Sequence, residues 1–440
     1  MAMWRTWGAV VGVLLTASAG RGQNHLVAEG PKPGECFRIE IETTVNGNLK
    51  VTRNDKPTVI PLAVKNHHIL LEKILSEDKN GVRKVARHYV TAESAGTIGG
   101  DKTERALSTH RRLMVAQRTA DSLLCYSPAG PMTRPELEVA AEHFDTLQLT
   151  GILPGKQAAV GDSWKLSNVT AQALCLFEGL IAHELTGKLT EVRDGHALIA
   201  IEGKASGIEA GALVNLTITA TARFDLLKDR LVSLEWKQKD TRDQGPASPA
   251  SEVETTTTLK RTLLDEEPKE LSTTALVSVP SEDDPPALLK QLAHRDPQGR
   301  YSFLYSREWH IVGQTETHLV LRLLDRGDFV AQATVTPYLK AEPGKHISSD
   351  EFRMVVSESP GWQMDELVDA AEVPTDDGRW SYRVTARGSM DGVPVVQSFY
   401  VLAAPSGEQV VVTFTMKPSH AAKIGTRDVA LVNAIMFPKK

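Results

Sequence analysis

Alternating side chains along residues 36–52 constrain the fold of this chain more than any other feature. The segment reads CFRIEIETTVNGNLKVT, in which apolar side chains from Phe37 onward alternate with charged ones. Successive side chains of a strand point to opposite faces, so this period of two is typical of a half-buried antiparallel strand. The dipeptide Asn46-Gly47 is the strongest short hairpin signal and predicts a turn within the segment.

The same alternation recurs through most of the first 264 residues and predicts a curved antiparallel sheet or half-barrel. Two helical patterns interrupt it, at 133–143 and from Asn168 to about Gly179. The first begins with Thr133 and Glu136 at the spacing of a capping box. The predicted fold class is therefore α+β, with a curved antiparallel sheet that carries two short helices.

Composition changes after Leu264. Residues 265–286 hold seven acidic residues, one lysine and four prolines, which is too polar and too interrupted for a strand. The expected organisation has four parts: a signal peptide at 1–22, a curved β domain at 24–264, an acidic proline-containing linker at 265–297, and a second α+β domain at 298–440.

Aromatic residues mark the start of that second domain. In YSFLY, Tyr301, Phe303 and Tyr305 occupy every second position and share one face, and Trp309 follows shortly after. Burial of a large apolar side chain is worth about 1.5–3 kcal/mol, so we expect these residues to pack in a core rather than to line a ligand site. The later pattern predicts antiparallel strands with helices at about 349–357 and 426–435.

The spacing G-x-Y-S-F-x-Y-x-x-x-W from Gly299 to Trp309 resembles the opening of PsbP-like domains, a fold of an oxygen-evolving-complex subunit also used by DcrB-like bacterial lipoproteins. The resemblance covers roughly 298–437. It implies an antiparallel sheet covered by helices, and a role in binding partners or assemblies rather than in catalysis. This chain has Ser306 where the family usually has a proline.

The first domain resembles uncharacterised exported proteins that share a v-G-D-S-W segment, here Val160 to Trp164, and more loosely the LolA-like half-barrels that hold acyl chains. We expect Trp164 to be a structural anchor rather than a ligand contact, because large aromatic side chains are mostly buried. A concave sheet that holds a lipid remains an alternative.

The N-terminus has the pattern of an export signal. Arg5 precedes an apolar run from Trp7 to Ala17, and Ala17-Ser18-Ala19 forms an A-x-A cleavage site. The run is shorter than the roughly 20 apolar residues that span a bilayer, and no later segment could span one. We therefore expect an extracytoplasmic protein, periplasmic or secreted, with no transmembrane segment after cleavage.

Charge and cysteine content exclude several classes of function. With 50 basic and 55 acidic residues interspersed, the formal net charge is −5, which gives no basic surface for nucleic acid or anionic membranes. Cys36, Cys125 and Cys175 are scattered and form no C-x-x-C pair. They could form one disulfide, in three ways, or remain buried thiols. They do not favour zinc binding or thiol catalysis.

Histidine and glycine patterns predict no familiar active site. His67-His68 is the only histidine cluster, and adjacent strand residues point to opposite faces, so we expect no metal there. His183-Glu184 lacks the second histidine of a metalloprotease motif. The glycine-rich stretch Gly96 to Gly100 precedes no helical pattern and is interpreted as a flexible loop.

The acidic patterns also predict no active site and no calcium site. Phe144-Asp145-Thr146 echoes the D-T-G of aspartic proteases, but Leu147 replaces the glycine. The acidic residues around Glu266 and Asp283 lack the alternating spacing of a calcium loop and indicate a solvated linker. The sequence thus assigns no catalytic, ligand-binding or metal-binding residue and no cofactor.

These patterns favour an exported, non-enzymatic interaction or scaffold module at or outside the cell envelope, with a protein partner that the sequence does not identify. One alternative is a carrier of a lipid or other apolar ligand in the first domain. Another is a hydrolase whose active site is assembled from residues distant in sequence.

Overall fold

A computed structural model describes residues 23–53, 56–79, 81–119, 122–141, 144–375 and 377–438. The predicted signal peptide, 1–22, lies outside the described residues. The fold consists mostly of antiparallel sheets, with 56% strand and 12% helix. Among the described residues, no helix is both long enough and apolar enough to cross a bilayer.

Alternating sequence patterns correspond to strands along most of the chain, and several of these strands are unusually long. Within the described residues the strands are β1 His25–Val27, β2 Cys36–Arg53, β3 Lys56–Asp78, β4 Gly81–Ile98, β5 Asp101–Ala106, β6 Leu113–Arg118, β7 Leu123–Tyr126, β8 Met132–Thr133, β9 Lys156–Ala158, β10 Ser163–Lys165, β11 Gly179–His183, β12 Thr186–Arg193, β13 His196–Glu209, β14 Ala212–Asp225, β15 Arg230–Arg242, β16 Ala250–Leu263, β17 Leu292–Arg295, β18 Ser302–Tyr305, β19 Trp309–Gln314, β20 Leu319–Asp325, β21 Asp328–Tyr338, β22 Gln363–Glu372, β23 Trp380–Met390, β24 Val393–Ala403 and β25 Gln409–Met416.

In the described part of the chain, helices are few and short. They are α1 Arg134–Ala141, α2 Asn168–Leu174, α3 Ala287–Lys290, α4 Ser349–Ser357 and α5 Arg427–Asn433. The sequence predicted four of these five positions. The predicted second helix extends too far, because α2 ends at Leu174 and Leu176 adopts a left-handed conformation with φ of 57°.

The larger sheet has 13 strands in the order β10-β12-β13-β14-β15-β16-β2-β3-β4-β6-β7, with β11 paired to β13 and β5 paired to β4. All of its strand pairs are antiparallel. Most neighbours along this order follow one another in sequence; β10–β12 and β4–β6 each skip one strand, and only the β16–β2 pair joins strands far apart in the chain. This pairing joins the end of the sheet's sequence to its beginning.

The turn predicted at Asn46-Gly47 is wrong. Strand β2 continues past it to Arg53, and Gly47 pairs with Val253 on β16. A Cβ atom at Gly47 would lie 2.2 Å from the Glu252 carbonyl oxygen. The neighbouring strand therefore passes too close for any side chain. A glycine needed for close approach and a glycine needed for a turn look alike in sequence.

The flexible loop predicted from Gly96 to Gly100 is also wrong in part. Gly96 lies within β4, and a Cβ atom there would be 2.3 Å from the Ala63 carbonyl oxygen of β3. Only Gly99 and Gly100 form a turn, which leads into β5. Most of this glycine-rich stretch therefore serves strand pairing.

A segment of short helices, a 3-10 turn and loops covers one face of the large sheet. It runs from α1 through the 3-10 turn Thr146–Ile152 to α2, and its Leu147 and Ile152 belong to the same buried apolar core as Phe37 of the sheet. The predicted α+β layout is thus confirmed only in part. Extended chain and a 3-10 turn pack on much of the sheet face that helices were expected to cover.

A second sheet of seven strands has the order β19-β20-β21-β25-β24-β23-β22. Helix α4 buries Phe352 and Val356 against one face of this sheet, which contributes Tyr382 and Val384. The other face belongs to the same apolar core as the large sheet. The two sheets therefore share a continuous core.

A three-stranded sheet joins the two halves of the chain. Strand β17 pairs antiparallel with β18 and parallel with β8, where Leu292 lies beside Met132. Arg307 adds a tie, because its guanidinium donates to the Cys125 carbonyl oxygen at 2.7 Å. The stretch YSFLY therefore pairs with a strand of the first half rather than opening the seven-stranded sheet.

The prediction that the YSFLY aromatics are core residues is confirmed. Tyr301, Phe303, Tyr305 and Trp309 are each at most 3% exposed. Tyr301 and Phe303 stack with ring centroids 6.2 Å apart, and Phe303 and Tyr305 are 5.6 Å apart. Strand β18 is thus buried between the two halves of the chain.

The segment predicted as a linker, 265–297, lies against the large sheet. The Lys73 ammonium donates to the Leu271 carbonyl oxygen at 3.2 Å, and that of Lys84 donates to the Pro280 carbonyl oxygen at 2.5 Å. Backbone oxygens of an otherwise acidic segment are thus held by two basic side chains.

The three cysteines Cys36, Cys125 and Cys175 are buried thiols, which was one of the two expected states. Burial raises the pKa of the Cys175 thiol to about 12. A thiol held protonated in this way is a poor nucleophile and metal ligand.

Candidate functional site

An open cleft of about 610 Å³ lies beside the covering segment of the large sheet. The tip of the β3–β4 hairpin forms one wall, the 3-10 turn and the stretch to Lys156 form the floor, and β10 with the start of α2 forms the other wall. Ligand sites in proteins usually measure about 300–1,000 Å³. The cleft is therefore large enough for a small ligand or a short peptide segment.

The G-D-S-W segment builds the second wall. Gly161 has a φ of 100°, a conformation that favours glycine, and the Asp162 carboxylate accepts a hydrogen bond from the Ala159 amide at 2.8 Å. The turn is also bonded to β12, because the Gly161 amide donates to the Leu189 carbonyl oxygen at 2.8 Å and the Asp162 carbonyl oxygen accepts from the Leu189 amide at 3.0 Å. This tight turn delivers Trp164 to the edge of the cleft.

Trp164 is held from two sides. Its indole nitrogen donates to the Ile152 carbonyl oxygen at 3.0 Å. Its ring covers Gly187, where a Cβ atom would lie 2.6 Å from the indole. Both contacts are of the kind expected of a structural anchor, but the half-buried ring also lines the cleft and is accessible there.

Three lysines give the cleft a positive charge. Lys79, Lys156 and Lys165 line it, all three are exposed, and none forms an ion pair with another described residue. The single acidic residue in the described lining is Glu29, whose side chain is fully buried. Arg261 lies 2.5 Å from the Glu29 carboxylate, which offsets its charge.

The floor of the cleft is rigid and polar. Ser167 caps α2 by accepting a hydrogen bond from the Thr170 amide at 3.1 Å. A Cβ atom at Gly151 would lie 2.2 Å from the Thr170 hydroxyl, so the 3-10 turn sits directly on α2. Thr150 lines the cleft beside the lysines, whereas Thr170 is 2% exposed and its hydroxyl lies 2.9 Å from that of Ser167.

A buried polar network lies behind this floor. Glu72 accepts from Arg87 Nε at 2.8 Å and from the Thr146 hydroxyl at 2.6 Å. Asp145 pairs with Arg118 at 2.5 Å and caps the 3-10 turn. The D-T dipeptide that echoed an aspartic protease therefore fixes the covering segment to the sheet.

His67 and His68 face opposite sides of the sheet, as predicted. His68 is buried next to the polar network, where its Nε2 lies 2.7 Å from the Val139 carbonyl oxygen. Burial lowers the pKa of His68 to about 4. The adjoining cavity of about 20 Å³, lined also by Arg87 and Tyr89, has room for about one water molecule.

On the outer face, His67 lies close to Glu40 and Glu42 of β2, and ligand atoms of the three side chains are all within 4.8 Å of one another. This cluster is not evident in the sequence, because His67 is 25 residues from the nearer glutamate, Glu42. The one feature of the sequence that points to this cluster is the spacing of Glu40 and Glu42, which places both side chains on one face of the strand.

The remaining sequence candidates have structural contacts. His183 Nε2 lies 3.0 Å from Asn168 Oδ1, and its Nδ1 accepts from the Leu185 amide at 3.2 Å. In the acidic segment, Asp284 pairs with Lys290 at 2.9 Å. These contacts place His183 at the edge of α2 and tie down part of the acidic run.

The sequence matches no known family profile. It also matches no curated protein. Solved structures do show similarity over parts of the chain. The cyanobacterial PsbP protein (CyanoP) of Synechocystis sp. PCC 6803 is 14% identical, covering 34% of this chain and 93% of its own, with a TM-score of 0.26.

Two further solved structures are similar over part of the chain. The Ran-binding protein Mog1p of Saccharomyces cerevisiae is 12% identical over 33% of this chain and 95% of its own, with a TM-score of 0.27. Lipovitellin is 8% identical over 55% of this chain and 27% of its own, with a TM-score of 0.29. About a third of the chain is thus similar to PsbP and Mog1p at low identity, and no function follows from these likenesses.

Proposed function

We propose that this chain is a non-enzymatic, extracytoplasmic binding module whose open cleft takes an acidic segment of a protein partner. The observation that carries the proposal is the charge of the cleft. Lys79, Lys156 and Lys165 surround about 610 Å³ without ion-pair partners among the described residues, while the charge of Glu29 is offset by Arg261.

Physical chemistry favours a carboxylate-rich occupant. Lysine ammonium groups are mobile point charges that attract anions without strict geometry, and a cleft lined by one sign of charge speeds association with the opposite sign. Exposed pairs of this kind give up to about 1 kcal/mol each, so binding needs several of them together. The half-buried ring of Trp164 adds an apolar surface for the peptide backbone.

The carrier alternative receives no comparable support. The covered face of the large sheet, where an acyl chain would lie, is filled by side chains that include Phe144, Leu147 and Trp236. The cavity next to Phe144 measures about 20 Å³. An acyl chain would require a far larger apolar volume.

Fluorescence anisotropy with a fluorescein-labelled hexaglutamate peptide tests the proposal on the protein without its first 22 residues. We expect saturable binding that weakens by about tenfold or more in the double variant Lys156→Glu/Lys165→Glu. The matched control Lys204→Glu/Lys269→Glu changes the net charge equally at exposed positions outside the described cleft lining.

Two outcomes would reject the cleft as the site: equal loss of affinity in the cleft and control variants, or binding of hexalysine as strong as that of hexaglutamate. Free glutamate and citrate form a further arm. If these small anions compete at the concentration of the peptide, the occupant is a small molecule rather than a protein segment.

Export is part of the proposal and needs its own measurement. N-terminal sequencing of protein recovered from the extracytoplasmic fraction should begin near residues 20–23, after the A-x-A site at Ala17 to Ala19. Recovery of an intact Met1 from the cytoplasm would contradict this part.

A further inference from the structure

Three potential metal ligands converge on the outer face of the large sheet. Glu42 on β2 pairs directly with His67 on β3, and Glu40 lies two residues along β2 on the same face. Their ligand atoms all lie within 4.8 Å of one another. Two long strands, β2 and β3, hold this arrangement, so the sheet itself sets the spacing.

The three side chains have no other partner among the described residues. Neither glutamate nor the imidazole of His67 forms a hydrogen bond or an ion pair there. Lys260 pairs with Glu40 in the strand register, yet its ammonium lies beyond ion-pair distance. Two like charges on one strand face repel each other, and a bound cation would offset that repulsion.

We propose that Glu40, Glu42 and His67 bind a divalent zinc ion. Carboxylate oxygens and a neutral imidazole nitrogen are ligands that zinc accepts at about 2.0–2.2 Å, whereas calcium takes oxygen ligands only. Two ligands of a tetrahedral zinc are about 3.3 Å apart at those bond lengths. Small side-chain rotations would therefore close the cluster from its present spacing.

Exposure sets the character of the site. Glu42 is exposed while Glu40 and His67 are half-buried, so three ligands would come from the protein and the outer side would stay open. A zinc site with three protein ligands keeps a position for water or for a group from another molecule. The geometry thus suits a reversible surface site rather than a closed structural one.

Glu93 on β4 is placed to support the site. It pairs directly with His67 from the side opposite to Glu42. Histidine ligands commonly donate their second ring nitrogen to a carboxylate, which fixes the orientation of the ring. Glu93 supplies such a carboxylate within the same row of the sheet.

This site is separate from the lysine-lined cleft. His67 points away from the covered face on which the neighbouring His68 is buried, and none of its three ligands lines the cleft. The zinc proposal can therefore be tested independently of the proposed binding of an acidic partner in the cleft.

Titration of untagged protein with ZnCl₂ in competition with a chromogenic chelator tests the proposal. We expect one ion per chain in the wild type. Affinity should fall by about tenfold or more in His67→Gln and in Glu40→Gln/Glu42→Gln. Control variants are His110→Gln, an exposed histidine elsewhere, and Glu191→Gln/Glu202→Gln, two exposed glutamates on β12 and β13.

Each possible result either supports or overturns the zinc proposal. Absence of zinc binding by the wild type, or unchanged affinity in His67→Gln, overturns the proposal. A parallel titration with CaCl₂ gives a further check. If His67→Gln changes the affinity for neither calcium nor zinc, His67 is not a ligand and only a carboxylate site remains. Circular dichroism of each variant shows whether a loss reflects the ligands or the fold.

Discussion

The guanidinium of Arg87 donates from Nε to the Glu72 carboxylate at 2.8 Å, and side chains of both residues are at most 5% exposed. They lie on neighbouring strands, β3 and β4, beneath the covering segment. Thr146 of that segment donates its hydroxyl to the same carboxylate oxygen at 2.6 Å. One buried ion pair thereby connects the sheet to the segment that closes its core.

Replacing Arg87 should be far more costly than replacing a partner of an exposed ion pair. In Arg87→Met the carboxylate of Glu72 stays buried without its cation, so we expect a loss of about 3–5 kcal/mol in the free energy of unfolding. Lys50→Met breaks the pair with Glu252, where both side chains are about half exposed, and should cost about 0–1 kcal/mol.

Guanidinium chloride denaturation of both variants measures this difference. Equal losses would show that the buried pair is not what fixes the covering segment.

Much of this fold could be read from the period of the sequence. Alternation identified most strands, and the buried stripe from Tyr301 to Tyr305 was recognised as core. Its partner strand was not, because the parallel pairing of Leu292 with Met132 joins segments 160 residues apart. Periodicity reports which face a residue occupies, but it does not report which strand lies beside it.

The site was harder to predict for a similar reason. The G-D-S-W segment makes Trp164 distinctive in the sequence, whereas nothing in the sequence sets Lys79, Lys156 and Lys165 apart from other lysines. Only the packing of the β3–β4 hairpin against the 3-10 turn brings them to one cleft. Convergent surface charges follow from tertiary structure, which a single sequence does not specify locally.

Alanine at Gly47 should destabilise the large sheet. The new Cβ atom would meet the Glu252 carbonyl oxygen at 2.2 Å and the Val253 Cα atom at 2.7 Å, and both are backbone atoms that cannot rotate away. We expect a loss of about 1–3 kcal/mol. Gly30→Ala is the control, since no atom lies within 4 Å of its Cβ position.

Thermal unfolding followed by circular dichroism at the strand signal compares the two glycine variants. A melting temperature for Gly47→Ala that equals the one for Gly30→Ala would contradict the close approach of β2 and β16.

His310 should make the protein less stable in mild acid. Burial, assisted by the charge of Arg134, lowers the pKa of this histidine to about 4, against about 6.5 in an unfolded chain. Between these values the unfolded state binds more protons, so the free energy of unfolding falls as pH drops from about 6.5 to about 4. The loss from this residue is about 2–3 kcal/mol.

Urea denaturation at pH 7, 6, 5 and 4.5 tests this expectation. His310→Gln should show a smaller loss than the wild type, although His68 contributes a loss in the same range. The exposed His318 provides the control variant His318→Gln. An identical pH profile for His310→Gln and the wild type would show that His310 titrates normally.

The effect of Asp240 on the pH dependence of stability should be opposite to that of His310, because protonation of Asp240 favours the folded state. Burial, with a further contribution from the charge of Glu209 and against the opposing charge of Arg242, raises the pKa of this carboxyl to about 6. Its Oδ1 atom is buried without a hydrogen-bond partner among the described residues. The folded state therefore binds the proton more tightly than the unfolded state, whose aspartate pKa is about 3.9.

The stabilisation from protonated Asp240 is complete below about pH 4 and is lost as pH rises through about 6. Asp240→Asn removes the buried charge, so at pH 7 the variant should be more stable than the wild type by about 1–3 kcal/mol. The difference should shrink towards zero near pH 4, because the wild-type carboxyl is then neutral as well. Urea denaturation at both pH values, with the exposed Asp101→Asn as control, measures it. A variant less stable than the wild type at pH 7 would mean that the charged carboxylate has a stabilising partner, most simply Arg242.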